Sequence, residues 1–208
     1  MFGWNEIPLG LRIEIIIALI FVSILAVYLY RRRSHVSLQK IAFPVLYMLM
    51  LRRSWGLRAM DYVAKRWREA IKLYGYIRIG INFSGMILMI VLLFQMGIWL
   101  FTAPQKAAVA PVVPFISIPG FGFLGFTHWI LAIAFIIVVH EFAHGMVARA
   151  HKLRVKSSGL AVLGIFLPIL PAAFVEPDEK QLRKQSDIVQ YSVFAAGPFM
   201  NIIWAFIF

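Results

Sequence analysis

Ile130-Leu-Ala-Ile-Ala-Phe-Ile-Ile-Val-Val139 runs without a polar side chain into His140-Glu141-Phe142-Ala143-His144, and Gly145-Met-Val-Ala-Arg149 closes the segment. An apolar run of this length predicts a helix that crosses a membrane. On that helix His140 and His144 stand about 40° apart around the axis and one turn apart along it, so both imidazoles can reach one metal ion. Glu141, beside the first histidine, is placed to act as a general base toward a metal-activated water. An ionised carboxylate inside a span costs about 2.5–3.5 kcal/mol on insertion scales. Three polar groups at this spacing therefore point to a metal site that faces a polar cavity. The competing reading is that His140 and His144 only bond neighbouring helices, with Glu141 as their partner.

The rest of the chain agrees with a membrane setting. Of 208 residues 62% are hydrophobic, and the mean hydropathy is +0.82, values that exclude an ordinary soluble domain. The chain has no cysteine, so disulfides and thiolate ligands are excluded and a metal must be held by imidazole, carboxylate and water. The formal charge of +12 does not indicate nucleic acid, because the basic residues fall where the loops of a membrane protein place them.

Four stretches are long enough to span: about Ile13 to Tyr30, Ile79 to Phe101, His128 to Ala150, and Ile188 to Phe208. Residues 31–78 carry twelve Lys and Arg against Asp61 and Glu69, whereas Lys106 is the only charge between the second and third spans. Lys152, Arg154, Lys156, Lys180, Arg183 and Lys184 follow the third span. By the positive-inside rule the amino terminus lies outside, 31–78 inside, 103–127 outside and 151–187 inside. The HExxH motif then falls in the cytoplasmic half of the bilayer. Within 31–78, Ile41–Leu51 is interrupted by Pro44 and is too short to span. Arg52–Tyr76 mixes Trp55, Met60, Val63, Trp67 and Ile71 with basic residues, as a helix lying on an anionic lipid surface would. The outer stretch 104–126 is rich in Pro and Gly with Phe115, Phe121, Phe123 and Phe126, and is expected to dip into the interface.

The expected fold is an all-α multi-span membrane protein with about four transmembrane helices and a short re-entrant, hairpin-like segment after the HExxH helix. Residues 1–30 form the first span, 31–78 a basic cytoplasmic amphipathic loop, and 79–208 the membrane-embedded core. Of the other histidines, His128 opens a span beside Trp129, and His35 and His151 sit in basic, water-facing stretches. Gly145 leaves room for another helix to approach.

Beyond these readings, Val138-Val-His-Glu-Phe-Ala-His-Gly145, Gly159-Leu-Ala-Val-Leu-Gly164, Ala172-Ala-Phe-Val-Glu-Pro-Asp-Glu179 and Phe194-Ala-Ala-Gly-Pro-Phe-Met-Asn201 follow one another in an order that resembles the site-2 protease family. These are intramembrane zinc metalloproteases that cleave transmembrane helices of membrane-protein substrates. The resemblance covers roughly residues 75–208. It implies Zn2+ as cofactor, His140 and His144 as ligands, Glu141 as catalytic base, and a transmembrane protein as substrate. It also implies a sheet-like hairpin over 157–175, whose edge would pair with an unwound substrate. Asn201 would donate to the scissile carbonyl or bond a neighbouring helix. The family's third ligand, an aspartate of a later Asp-Gly motif, has no counterpart here. Glu176, Asp178, Glu179 and Asp187 lie in a charged inner loop, where solvation is the expected role. The chain is therefore expected to be the amino-terminal portion of a longer enzyme, inactive alone. The alternative is a non-catalytic scaffold of the same type that binds partner helices. Neither substrate identity nor oligomeric state is legible from these residues.

Overall fold

The computed structural model describes residues 8–42, 45–103, 112–118, 122–165 and 167–208. Pro44, Lys106 and Phe121 lie outside the described residues, as do 104–111 and 119–121 of the outer Pro- and Gly-rich stretch. The elements in chain order are α1 (Leu9–Arg31), β1 (Val36–Ala42), β2 (Leu46–Arg53), α2 (Leu57–Arg66), α3 (Arg68–Thr102), β3 (Ser117–Ile118), β4 (Gly122–Phe123), α4 (Phe126–Ala150), β5 (Val155–Ile165), β6 (Leu167–Pro177), α5 (Glu179–Leu182), α6 (Asp187–Phe194) and α7 (Ala196–Ile207).

Among the described residues three helices, α1, α3 and α4, are long and apolar enough to cross a membrane. The pair α6–α7 passes the same test if read as one span bent by 42°. The bend falls at Ala195, and Pro198 sits in the first turn of α7, where a missing N–H costs little. α1 buries none of its residues, and in α3 Met86 to Leu93 are all exposed, as suits faces turned to lipid. At 35 residues α3 measures about 52 Å. It exceeds the ~30 Å of hydrocarbon, and its basic first turns extend beyond the span read from hydropathy.

The all-α expectation is overturned. Strands β1, β2, β5 and β6 form a four-stranded sheet in the order β1-β2-β5-β6, and β3 and β4 form a second small pair. The fold is mixed α/β. β1 and β2 are antiparallel, in register from Val36↔Leu51 to Lys40↔Tyr47, with an irregularity before Ala42↔Leu46. The residues read as one basic amphipathic helix over Arg52–Tyr76 divide into the end of β2, α2 and the start of α3. The error has a physical source. Alternation of apolar and polar groups in Val36–Ala42 is short, and a strand is stabilised by partners distant in sequence rather than by neighbours three or four residues away. The stretch 157–175, too broken for a span, lies within β5 and β6.

Close contacts divide the chain into two units: 1–53 with 112–138 and 159–174, and 54–111 with 139–158 and 175–208. In the first unit Glu14 of α1 caps the start of α4, its Oε2 accepting from the Thr127 N–H at 2.8 Å and from the Thr127 hydroxyl at 2.9 Å. Two otherwise orphaned donors in a span are thereby satisfied. Phe21 packs on Phe126 with ring centroids 5.6 Å apart.

In the second unit a core of small residues lets helices approach closely. Ala143, Val147, Ala148 and Ala150 of α4 pack with Ala64, Ile71, Val193 and Ala196. Two polar fasteners hold α3 against α6 and its end. Arg78 donates from Nη2 to the Ile71 carbonyl at 2.7 Å and to the Ser192 hydroxyl at 3.1 Å. Asn82 donates to the carbonyls of Arg78, at 2.8 Å, and Ala195, at 3.1 Å.

Candidate metal centre

The site lies wholly within the second unit and is built from the last turns of α4, the bend between α6 and α7, and the end of β6. Helical spacing brings the rings of His140 and His144 to a centroid separation of 4.8 Å, edge to face at 71°. His144 Nδ1 lies 2.7 Å from the Val193 carbonyl oxygen. A carbonyl only accepts, so this nitrogen carries the proton, and the Nε2 lone pair is left unprotonated.

His140 has a matching arrangement. Its Nδ1 is 3.0 Å from Asn201 Nδ2, while Asn201 Oδ1 is buried with no partner. Amide nitrogen and oxygen are assigned by their bonding partners. With the amide turned over, Oδ1 accepts from the His140 Nδ1–H, and His140 too presents a bare Nε2.

Both bare nitrogens converge on one place. A Cβ built on Gly197 would overlap Nε2 and Cδ2 of His140 and Nε2 of His144. Gly197, buried in the first turn of α7, thus lets both rings pack against its backbone, where no side chain would fit. Gly145, one residue beyond the motif, is filled differently: a Cβ there would press on Met60 Sδ at 2.5 Å and on Val175 Cγ1 at 3.1 Å. It serves packing between α4, α2 and β6.

Glu141 faces the third component. Its Oε2 accepts from the backbone N–H of Val175 on β6 at 3.0 Å. That bond fixes the carboxylate through Oε2.

The donors present fit zinc in tautomer and type. Imidazole nitrogens whose opposite N–H groups are held by a carbonyl and an amide oxygen are the usual support for such a metal. A catalytic zinc takes three protein ligands, and among the described residues no group of three His, Cys, Asp or Glu is assembled. Of the acidic residues weighed as a third ligand, Glu176 accepts from the Ser157 hydroxyl at 2.7 Å and Asp178 caps α5. Glu179 pairs with Arg183 at 3.6 Å, and Asp187 is exposed in the first turn of α6. The groups that hold His144 and Glu141 could not be read from residue types, since Val193 and Val175 contribute backbone atoms alone. Asn201 was visible as a polar residue in an apolar stretch, but its partner was not. Replacing Asn201 by Leu is expected to weaken zinc binding about 10–100-fold, as loss of an orienting partner does elsewhere; competition against a chromophoric chelator measures it.

The paired histidines and the carboxylate of the HExxH motif thus meet on one apolar helix. Residues 128–208 match Peptidase family M50, the site-2 protease family, and the motif resemblance is confirmed over that segment. The chain is 30% identical over 199 residues to an uncharacterized protein of Methanocaldococcus jannaschii, across 90% of this chain and 48% of that protein. It thus spans about half the length of the curated relative it matches. No solved structure matches it.

Proposed function

We propose that this chain carries the HExxH part of the catalytic centre of an intramembrane zinc endopeptidase that cleaves transmembrane helices of membrane-protein substrates. The observation that carries the reading is that the Nε2 atoms of His140 and His144 lie together against Gly197, beside a carboxylate anchored by Val175. Zinc, when bound by His140 and His144 with a further ligand, supplies a Lewis acid and an activated water. Glu141 takes the proton of the attacking water on Oε1 and delivers it to the departing amine nitrogen. Val193 and Asn201 keep the two rings in place throughout.

A helical peptide bond is shielded by its own hydrogen bonds, so the substrate must be extended locally. β6 ends the sheet order, and its edge around Val175 supports strand addition as the means of holding an extended backbone. From the charge asymmetry of the loops, the amino terminus lies outside and the centre in the cytoplasmic half of the bilayer. The exposed basic residues of 31–78, unlike the buried Arg78, face the anionic inner leaflet.

The test is cleavage of a single-span substrate by the complete protein in proteoliposomes. Peptide bonds within the substrate's apolar segment are expected to be cut, with activity lost on chelation and restored by zinc. Cleavage that persists after metal removal would sink the proposal. The second reading, a non-catalytic scaffold, draws on the incomplete ligand set among the described residues. Zinc-restored cleavage excludes it.

A further inference from the structure

Beyond α4's metal-facing turns, the helix ends in a basic cavity for which the proposed chemistry has no use. Its volume is about 370 Å3, and its walls include Lys65, Arg68, Arg149, Lys152 and Arg154, with Asp61 as the one carboxylate. All belong to the second unit. The carbonyl end of α4 contributes about half a negative charge. Together with Asp61 it leaves more than three of the five positive charges unbalanced.

These cations come from three separate places, the end of α2, the start of α3 and the turn after α4, and several are held. Arg68 Nε donates to the Ala150 carbonyl at 2.9 Å. Arg149 pairs with Asp61 at 3.1 Å and donates to the Val155 carbonyl at 3.4 Å. The backbone N–H of Arg154 donates to Gln181 Oε1 at 3.0 Å, which fixes the far wall. Lys152 closes α4 with φ at +62°, a conformation usual for glycine, so a lysine side chain stands where the backbone favours none. A diffuse basic surface would need none of this anchoring, whereas a concave, pre-set group of arginines and lysines is what recognises a phosphoryl group.

We propose that this cavity binds a phosphoryl anion. Arg68 and Arg149 form a fixed floor, and Lys65, Lys152 and Arg154, all exposed, close over the ligand from the rim. The same chemistry accepts the phosphodiester of an anionic lipid headgroup or a soluble phosphate. The site is independent of the protease reading, since none of its groups touches the HExxH centre.

The experiment uses the full chain in neutral detergent, with the triple variant Lys65→Gln/Lys152→Gln/Arg154→Gln and the single variant Lys152→Gln in parallel. One arm titrates inorganic phosphate by calorimetry; the other follows retention of phosphatidylglycerol against phosphatidylcholine by native mass spectrometry. Saturable one-to-one binding is expected, weakened about fivefold per charge removed and reduced by added salt, with helical content by circular dichroism unchanged. Selective retention of phosphatidylglycerol without phosphate binding assigns the site to a lipid headgroup. Phosphate saturation that phosphatidylglycerol fails to displace assigns it to a soluble ligand. Binding of neither, or binding of equal strength in wild type and Lys152→Gln, overturns the proposal even if the triple variant fails to fold.

Discussion

Glu141→Gln in the complete protein lowers substrate cleavage by about 10²–10⁴-fold, the range for loss of a positioned general base, while zinc content stays at the wild-type level. Glutamine keeps the side-chain length and an oxygen that can still accept from the Val175 N–H, as Glu141 Oε2 does at 3.0 Å. The link between α4 and β6 therefore survives. What disappears is a group able to take a proton from water and pass it to the leaving nitrogen. Steady-state cleavage of a labelled single-span substrate, with metal content measured on the same sample, separates the two effects. Activity within tenfold of wild type would remove Glu141 from the chemistry. A joint loss of activity and zinc would turn it into a support for the ligands.

Gly197→Ala produces the second large effect, on the metal rather than on the proton. The added Cβ would occupy space already held by Nε2 and Cδ2 of His140 and Nε2 of His144. The rings cannot both retreat, because His144 is tied to the Val193 carbonyl and His140 to Asn201. Zinc affinity is expected to fall by more than about a hundredfold, beyond the upper end for changes in orienting partners. Alanine is the better helix former by about 1 kcal/mol, so α7 itself is not weakened. Loss of zinc with an unchanged circular dichroism spectrum is the expected pair of results. Unaltered affinity would mean that the two nitrogens do not meet a metal at that place.

These two residues also mark how much the chain discloses before its structure is known. The place of Glu141 beside the two histidines was legible because it follows from spacing on a single helix, and α4 itself lies within two residues of the span read from hydropathy. Gly197 was visible only as one residue of the Phe194–Asn201 stretch that resembles the family. Its use, an absent side chain against two rings of another helix, depends on contacts across about 50 positions of sequence. The same limit hid Val175 and Val193, which act through an N–H and a carbonyl that every non-proline residue possesses.

The strands failed for a related reason. Leu46–Arg53 carries apolar residues consecutively rather than in alternation, and its neighbour in the sheet, β5, begins about a hundred residues later. Local periodicity therefore assigned 36–53 to a basic loop. Span length identified the long apolar helices because it is a property of the local chain. The sheet is a property of distant pairing.

The fastening of α3 by Arg78 has a consequence for how the protein is made. Arg78 is 5% exposed, and one of its partners, Ser192, lies 114 residues further along the chain. During synthesis the Arg78 guanidinium therefore has only the Ile71 carbonyl of its own helix and water as partners until α6 has emerged. Asn82 is in the same position with respect to Ala195. Helices that enter lipid early would thus remain loosely associated, and the late docking of α6 would lock α3. A chain interrupted before Ser192 is expected to leave α3 exposed to membrane quality control, so this arginine would couple survival of the early helices to completion of the later ones.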